Sequence, residues 1–96
     1  MGLDRLVEER REEIRRVALK HGVGVIRVFG SAARGDSRPD SDVDFLIEVT
    51  GPTSAWFPGG LVAELEEVLG RRVDVVETSA LRAELRERAL AEAVAL

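Results

Sequence analysis

Apolar positions recur along the chain with a period that changes from segment to segment. Leu3, Leu6, Val7, Ile14, Val17 and Ala18 fall at helical spacing, with Glu and Arg between them. The spacing predicts an amphipathic helix over 3–20, ending near His21-Gly22, where Gly can take the left-handed cap. His21 is then a helix-end residue placed favourably for the dipole. VGVIRVF (23–29) is rich in β-branched residues and bounded by glycines, which predicts a strand. Ser31 to Gly35 is small enough for a short helix or turn, and DSRPDS (36–41) is turn chemistry, with Asp36 and Asp40 as turn formers. Residues 42–49 alternate as a second strand. Val43, Phe45, Ile47 and Val49 share one face, and Asp42, Asp44, Leu46 and Glu48 the other.

Residues 50–60 (TGPTSAWFPGG) read as a loop. Trp56 and Phe57 are expected to pin it to the core, a base-stacking or partner-contact patch being the alternative. A helix over 61–69 follows, with Leu61, Val62, Leu65, Val68 and Leu69 on one side and Gly70 as its stop. RVDVVE (72–77) is a short third strand. Thr78 or Ser79 is expected to cap a last helix to about Val94, with Leu81, Leu85, Ala89 and Leu90 facing inward. The predicted class is α/β (α+β): an α-β-α-β-α-β-α order, with helices against a mixed three-stranded sheet in one domain over 1–96. A right-handed crossover would make the second and third strands parallel.

That topology gathers chemistry. Parallel neighbours bring Asp74 to the sheet edge that also holds Asp42 and Asp44. An antiparallel first strand would deliver Gly30 and Ser31 to the same edge. Three carboxylates converging there repel one another unless a cation sits among them. Residues two apart on a strand lie roughly 6.6 Å apart, and two-metal phosphoryl-transfer sites hold ions about 3.5–4 Å apart. Oxygen ligands without His or Cys suit Mg2+ or Mn2+ rather than zinc. Gly30 would let backbone approach a phosphate, and Ser31 has both an N–H and a hydroxyl to donate.

Composition narrows the partners. The 96 residues are 45% hydrophobic and 33% charged, ordinary for a single folded domain. A net charge of −4 argues against direct nucleic-acid binding by counterion release. Lys20 is the only lysine and stands in no Gly-rich frame, so a P-loop is excluded. No apolar run is long enough to span a bilayer, and no secretory signal opens the chain. The absence of Cys excludes disulfides and thiolate zinc sites and fits a cytoplasmic protein.

Gly30-Ser31, ten residues, Asp42-Val43-Asp44 and then Asp74 together resemble the nucleotidyltransferase superfamily that includes DNA polymerase β. GSAARGDSRPDSDVD resembles its minimal nucleotidyltransferase branch, the MntA-like antitoxins paired with HEPN-domain toxins; the similarity covers nearly the whole chain. The resemblance implies that Asp42 and Asp44 hold two Mg2+ ions and that Asp74 completes the site and helps activate the acceptor hydroxyl. It implies that Gly30 and Ser31 hold the β- and γ-phosphates of ATP. Arg34 is placed with them as a nucleotide contact, a surface pair with Asp36 being its alternative. The implied reaction is AMP transfer to a tyrosine of the toxin. A partner-covering module without catalysis, and transfer to RNA or a small molecule, are the competing readings. One exposed apolar helix stripe could serve as a dimer or toxin interface.

Overall fold

The computed structural model describes residues 3–96. Two strands form its centre. β1 (Val23–Phe29) and β2 (Val43–Val49) pair antiparallel, with Val28 opposite Phe45 and Phe29 opposite Asp44. β3 (Val73–Glu77) joins β2 in parallel, setting Val43 against Val73 and Asp44 against Asp74. The expected pairing directions are therefore the observed ones.

The sheet has four strands, not three, in the order β3-β2-β1-β4. β4 is only Val94–Ala95, antiparallel to β1, and Leu96 N–H donates to the Ile26 carbonyl at 3.0 Å. The periodicity predicts a last helix to about Val94, but the helix ends at Glu92 and Val94 is already strand. β1 would otherwise present a row of unpaired backbone groups at the sheet edge, and this tail satisfies some of them.

The core lies between the sheet and helices α1 (Arg5–Glu9), α2 (Arg11–Lys20) and α4 (Gly59–Leu69). From β2 it takes Val43, Phe45 and Ile47, all fully buried, and from α4 Leu61, Leu65 and Leu69. Those α4 positions recur every fourth residue, the spacing that keeps side chains on one helix face. Leu46 points to the opposite face yet is also fully buried, flanked in the ladder by Arg27 and Val76. Among the described residues no helix is long and apolar enough to cross a membrane.

The predicted helix over 3–20 is broken at Arg10, whose φ of −103° and ψ of 13° separate α1 from α2. The two segments answer to different partners. α1 is fixed through Asp4, which caps it, whereas α2 packs on β1 and α4. The last helix, α5 (Ala83–Glu92), starts later than expected, and neither Thr78 nor Ser79 caps it. Thr78 is buried in a 3-10 turn (Thr78–Ala80), with its hydroxyl on the Ile47 carbonyl at 3.3 Å. The Arg86 guanidinium holds the carbonyls of Thr78, Ser79 and Leu81. None of the α5 residues is buried, and Leu85, expected to face inward, is 51% exposed. Its weak amphipathicity lets it lie on the periphery.

Candidate active site

β1 runs toward the sheet edge from which β2 and β3 depart. The chain leaves β1 at Gly30, forms the short helix α3 (Ser31–Arg34), turns through 35–42 and enters β2. Gly30 and Ser31 thus stand beside the first residues of β2, at the sheet edge where β3 also begins.

Gly30 is fitted to that place in two ways. Its φ of 74° and ψ of −149° lie where only glycine is at ease. A Cβ built on it would also lie 3.0 Å from Oδ2 of Asp44. The backbone of the Gly-Ser turn therefore packs directly against the second carboxylate of the Asp-x-Asp pair. Sequence alone placed these residues at one edge; the structure puts them in contact range.

Asp44 is half-buried, and its ladder partner on β3 is Asp74. Burial raises its pKa above the ordinary carboxylate value, and the charges of Asp74 and Asp42 raise it further. Asp74 and Asp42 are exposed. Asp42 lies just before β2 rather than in it, and its carboxylate is 3.4 Å from the Arg72 guanidinium. The three acids are thus neighbours at one edge.

Arg34 is exposed at the end of α3. Its guanidinium lies 3.3 Å from Asp36 and 3.7 Å from Glu92 of α5. The pairing with Asp36 was anticipated; that with Glu92 follows from the way α5 returns to this edge. Asp36 and Asp40 are exposed in the turn, as expected of turn formers. His21 ends α2, with Nε2 2.7 Å from Glu64, and takes no part in the site. Trp56 and Phe57 diverge: Phe57 packs against the core, whereas Trp56 is 85% exposed at the opposite end of the sheet from the acids.

Behind the edge lies a polar cluster that the sequence pattern did not single out. Asp4 Oδ1 accepts from the N–H groups of Leu6 and Val7, capping α1. Its Oδ2 accepts from the Ser37 hydroxyl and, at 2.8 Å, from Arg71. Burial acts to raise the Asp4 pKa, but these hydrogen bonds and the Arg71 charge outweigh it and lower the pKa overall. An Asp just before an apolar helical run is a legible N-cap signal. Nothing local marks Arg71 as its partner 67 residues on.

The chemistry of the donor set fits a hard divalent cation. It is all oxygen, and a cation among the acids would offset both the burial and the repulsion that raise the Asp44 pKa. Among the described residues no three acidic or histidine side chains are gathered tightly enough to enclose an ion unaided.

A small α/β domain with a Gly-Ser turn facing an Asp-x-Asp strand and a third acid on its parallel neighbour defines a class, the nucleotidyltransferases. The chain matches the Nucleotidyltransferase domain family over residues 7–96 and belongs to it. Among its relatives is the MJ0435 protein of Methanocaldococcus jannaschii, provisionally named a protein adenylyltransferase, with 40% identity over 92% of this chain and 95% of that one. Protein adenylyltransferase MntA of Thermococcus cleftensis is 40% identical over 78% of this chain and 76% of its own. A solved structure provisionally described as a minimal nucleotidyltransferase superposes with a TM-score of 0.85 at 40% identity, covering 100% of this chain and 97% of the other. A toxin-antitoxin complex crystallised with AMP-PNP matches at a TM-score of 0.70 and 19% identity, over 92% of this chain and 70% of that one. At that identity the likeness is one of fold.

Proposed function

We propose that the chain is a Mg2+-dependent protein adenylyltransferase that transfers AMP from ATP to a hydroxyl of a partner protein. We propose further that it acts as the antitoxin of a HEPN-type toxin. The observation that carries this reading is the meeting of Gly30 and Ser31 with Asp42, Asp44 and Asp74 at one sheet edge, with Gly30 close-packed on Asp44. Relatives of similar length named as protein adenylyltransferases support the choice of reaction.

In this reading Gly30 and Ser31 hold the β- and γ-phosphates through backbone and hydroxyl donors. Asp42, Asp44 and Asp74 would hold the ions, which when bound neutralise phosphate charge and lower the pKa of the attacking hydroxyl. The acceptor oxygen attacks the α-phosphorus, and a new P–O bond forms. The bond from that phosphorus to the bridging oxygen of the β-phosphate breaks, and pyrophosphate leaves with the electron pair. The acceptor proton passes to the exposed carboxylate of Asp74. Arg34 steadies the leaving phosphates once it exchanges Asp36 or Glu92 for them.

The chain contains no tyrosine. A tyrosine acceptor must therefore belong to another molecule, which suits a partner protein. The test is to incubate the protein with its candidate toxin, ATP and Mg2+, and to record intact masses. Adducts of AMP size on the toxin are expected, absent from Asp42→Ala and Asp44→Ala. A tight complex with no adduct would replace this reading with a partner-covering module.

A further inference from the structure

The buried cluster behind the candidate site joins its two halves, and one side chain does most of the joining. The Arg71 side chain, only 6% exposed, precedes β3 and sends its guanidinium to three acceptors on two separate segments. Nε donates to the Ser41 carbonyl at 3.0 Å, the residue immediately before Asp42. One terminal nitrogen donates to the Arg38 carbonyl at 3.1 Å, and the other to Asp4 at 2.8 Å. Arg38 and Ser41 also close on each other, through Ser41 N–H to the Arg38 carbonyl and Arg38 N–H to the Ser41 hydroxyl. Arg71 therefore grips the turn that delivers the carboxylates.

Asp4 extends that grip to the other half. Its own N–H donates to the Ala32 carbonyl at 2.7 Å, one residue beyond Ser31, and its carboxylate also accepts from Ser37. The path from the Gly30-Ser31 turn to Asp42 thus runs through one buried ion pair. α3 is tied to Asp4, Asp4 to Arg71, and Arg71 to Ser41. Neither member of the pair lies among the residues assigned to the chemistry.

We propose that Arg71, with Asp4 as its anchor, is a positioning residue that sets the spacing between the Gly30-Ser31 turn and Asp42-Asp44. The proposal rests on the adenylyltransferase reading of that edge. A fork is needed because the bonds diverge to three acceptors in fixed directions. Lysine keeps the charge opposite Asp4 but cannot reproduce this geometry. Misplacing reacting groups by an ångström costs on the order of a hundredfold in rate.

The test uses the full chain carrying Arg71→Lys, with Asp4→Asn as a second variant that sets an amide N–H2 against the guanidinium. Two quantities are measured well below each variant's melting temperature. One is kcat and KM for ATP; the other is hydrogen exchange at Ala33, Arg34, Asp36, Ser41 and Val43. Expected are a kcat lower by about ten- to a hundredfold and exchange at those amides faster by about tenfold, while the β1–β2 ladder amides keep wild-type rates. A uniform rise in exchange across the chain, or wild-type kcat in a fully folded variant, would overturn the proposal. So would failure of both variants to fold, since the pair would then determine the fold rather than the site. A wild-type protein that transfers nothing would sink the adenylyltransferase reading alone. In that case locally faster exchange still supports, and uniformly faster exchange overturns, the ordering role of Arg71.

Discussion

Replacing Asp44 by Asn should make the protein more stable and inactive together. The side chain is half-buried, faces Asp74 across the β2–β3 ladder and lies two residues from Asp42. Its pKa is raised, first by burial and then by those two charges. A carboxylate whose pKa is raised on folding adds stability below its unfolded pKa and loses it as pH rises through the folded value. Near neutral pH, without metal, the ionised group is therefore a burden. Adjacent strands lie about 4.8 Å apart, and two unit charges near that distance repel by about 1 kcal/mol in water and several times more in a protein-like medium. Because Asp74 and Asp42 are exposed, solvent screening leaves about 1 kcal/mol as the realistic gain. In a domain of this size that raises the melting temperature by about 4–8 °C. The assay is a thermal melt near neutral pH in chelator, repeated with Mg2+, alongside AMP transfer followed by intact mass. The variant should melt higher in chelator, gain less from Mg2+ than the wild type and lose transfer by more than about a hundredfold. A lower melting temperature in chelator would refute the electrostatic argument, and transfer at the wild-type rate would refute the assignment.

Gly30→Ala should abolish transfer and cost about 1–2 kcal/mol by denaturant unfolding, since it forces a side chain to positive φ and against Asp44. The Asp4–Arg71 pair should show the opposite pH dependence to Asp44. The Asp4 pKa is lowered, so its stability is present above the unfolded value, near 3.8, and is lost as pH falls through the folded one. Arg71→Met should weaken that acid-side loss in a stability–pH profile, the Ser37 hydroxyl and Val7 N–H bonds remaining, and lower stability near neutral pH by about 3–5 kcal/mol. Phe45→Ala, at a fully buried position of the central strand, should cost about 3–5 kcal/mol in the same measurement. Trp56→Ala should change stability by less than about 0.5 kcal/mol, because the ring is 85% exposed.

The strands at the centre were legible because their patterns are local. Alternation through Val43, Phe45 and Ile47 fixed which face of β2 is buried and so set Asp44 on the other. The β-α-β order then required β3 to run parallel and Asp74 to arrive at the same edge. The last helix was less legible. Its Leu and Ala spacing read as an inner face, but no partner surface was left to receive it, and Leu85 stayed exposed. Two residues of β4 carry no periodicity of their own. They are a strand only because the edge of β1 is there to pair with.

By itself, then, the sequence determined the order of elements from β1 to β3, the alternation along β2 and which residues reach the edge of the candidate site. Those follow from short-range sterics, the 2.0 and 3.6 periods and the β-α-β crossover. Tertiary structure alone decided the contact between Gly30 and Asp44, the turning of Arg34 toward Glu92 and the burial of Arg71 against Asp4. Each of these depends on distant segments arriving at one place with a given register and orientation. A charged residue becomes a buried partner only when the whole fold has removed the water around it.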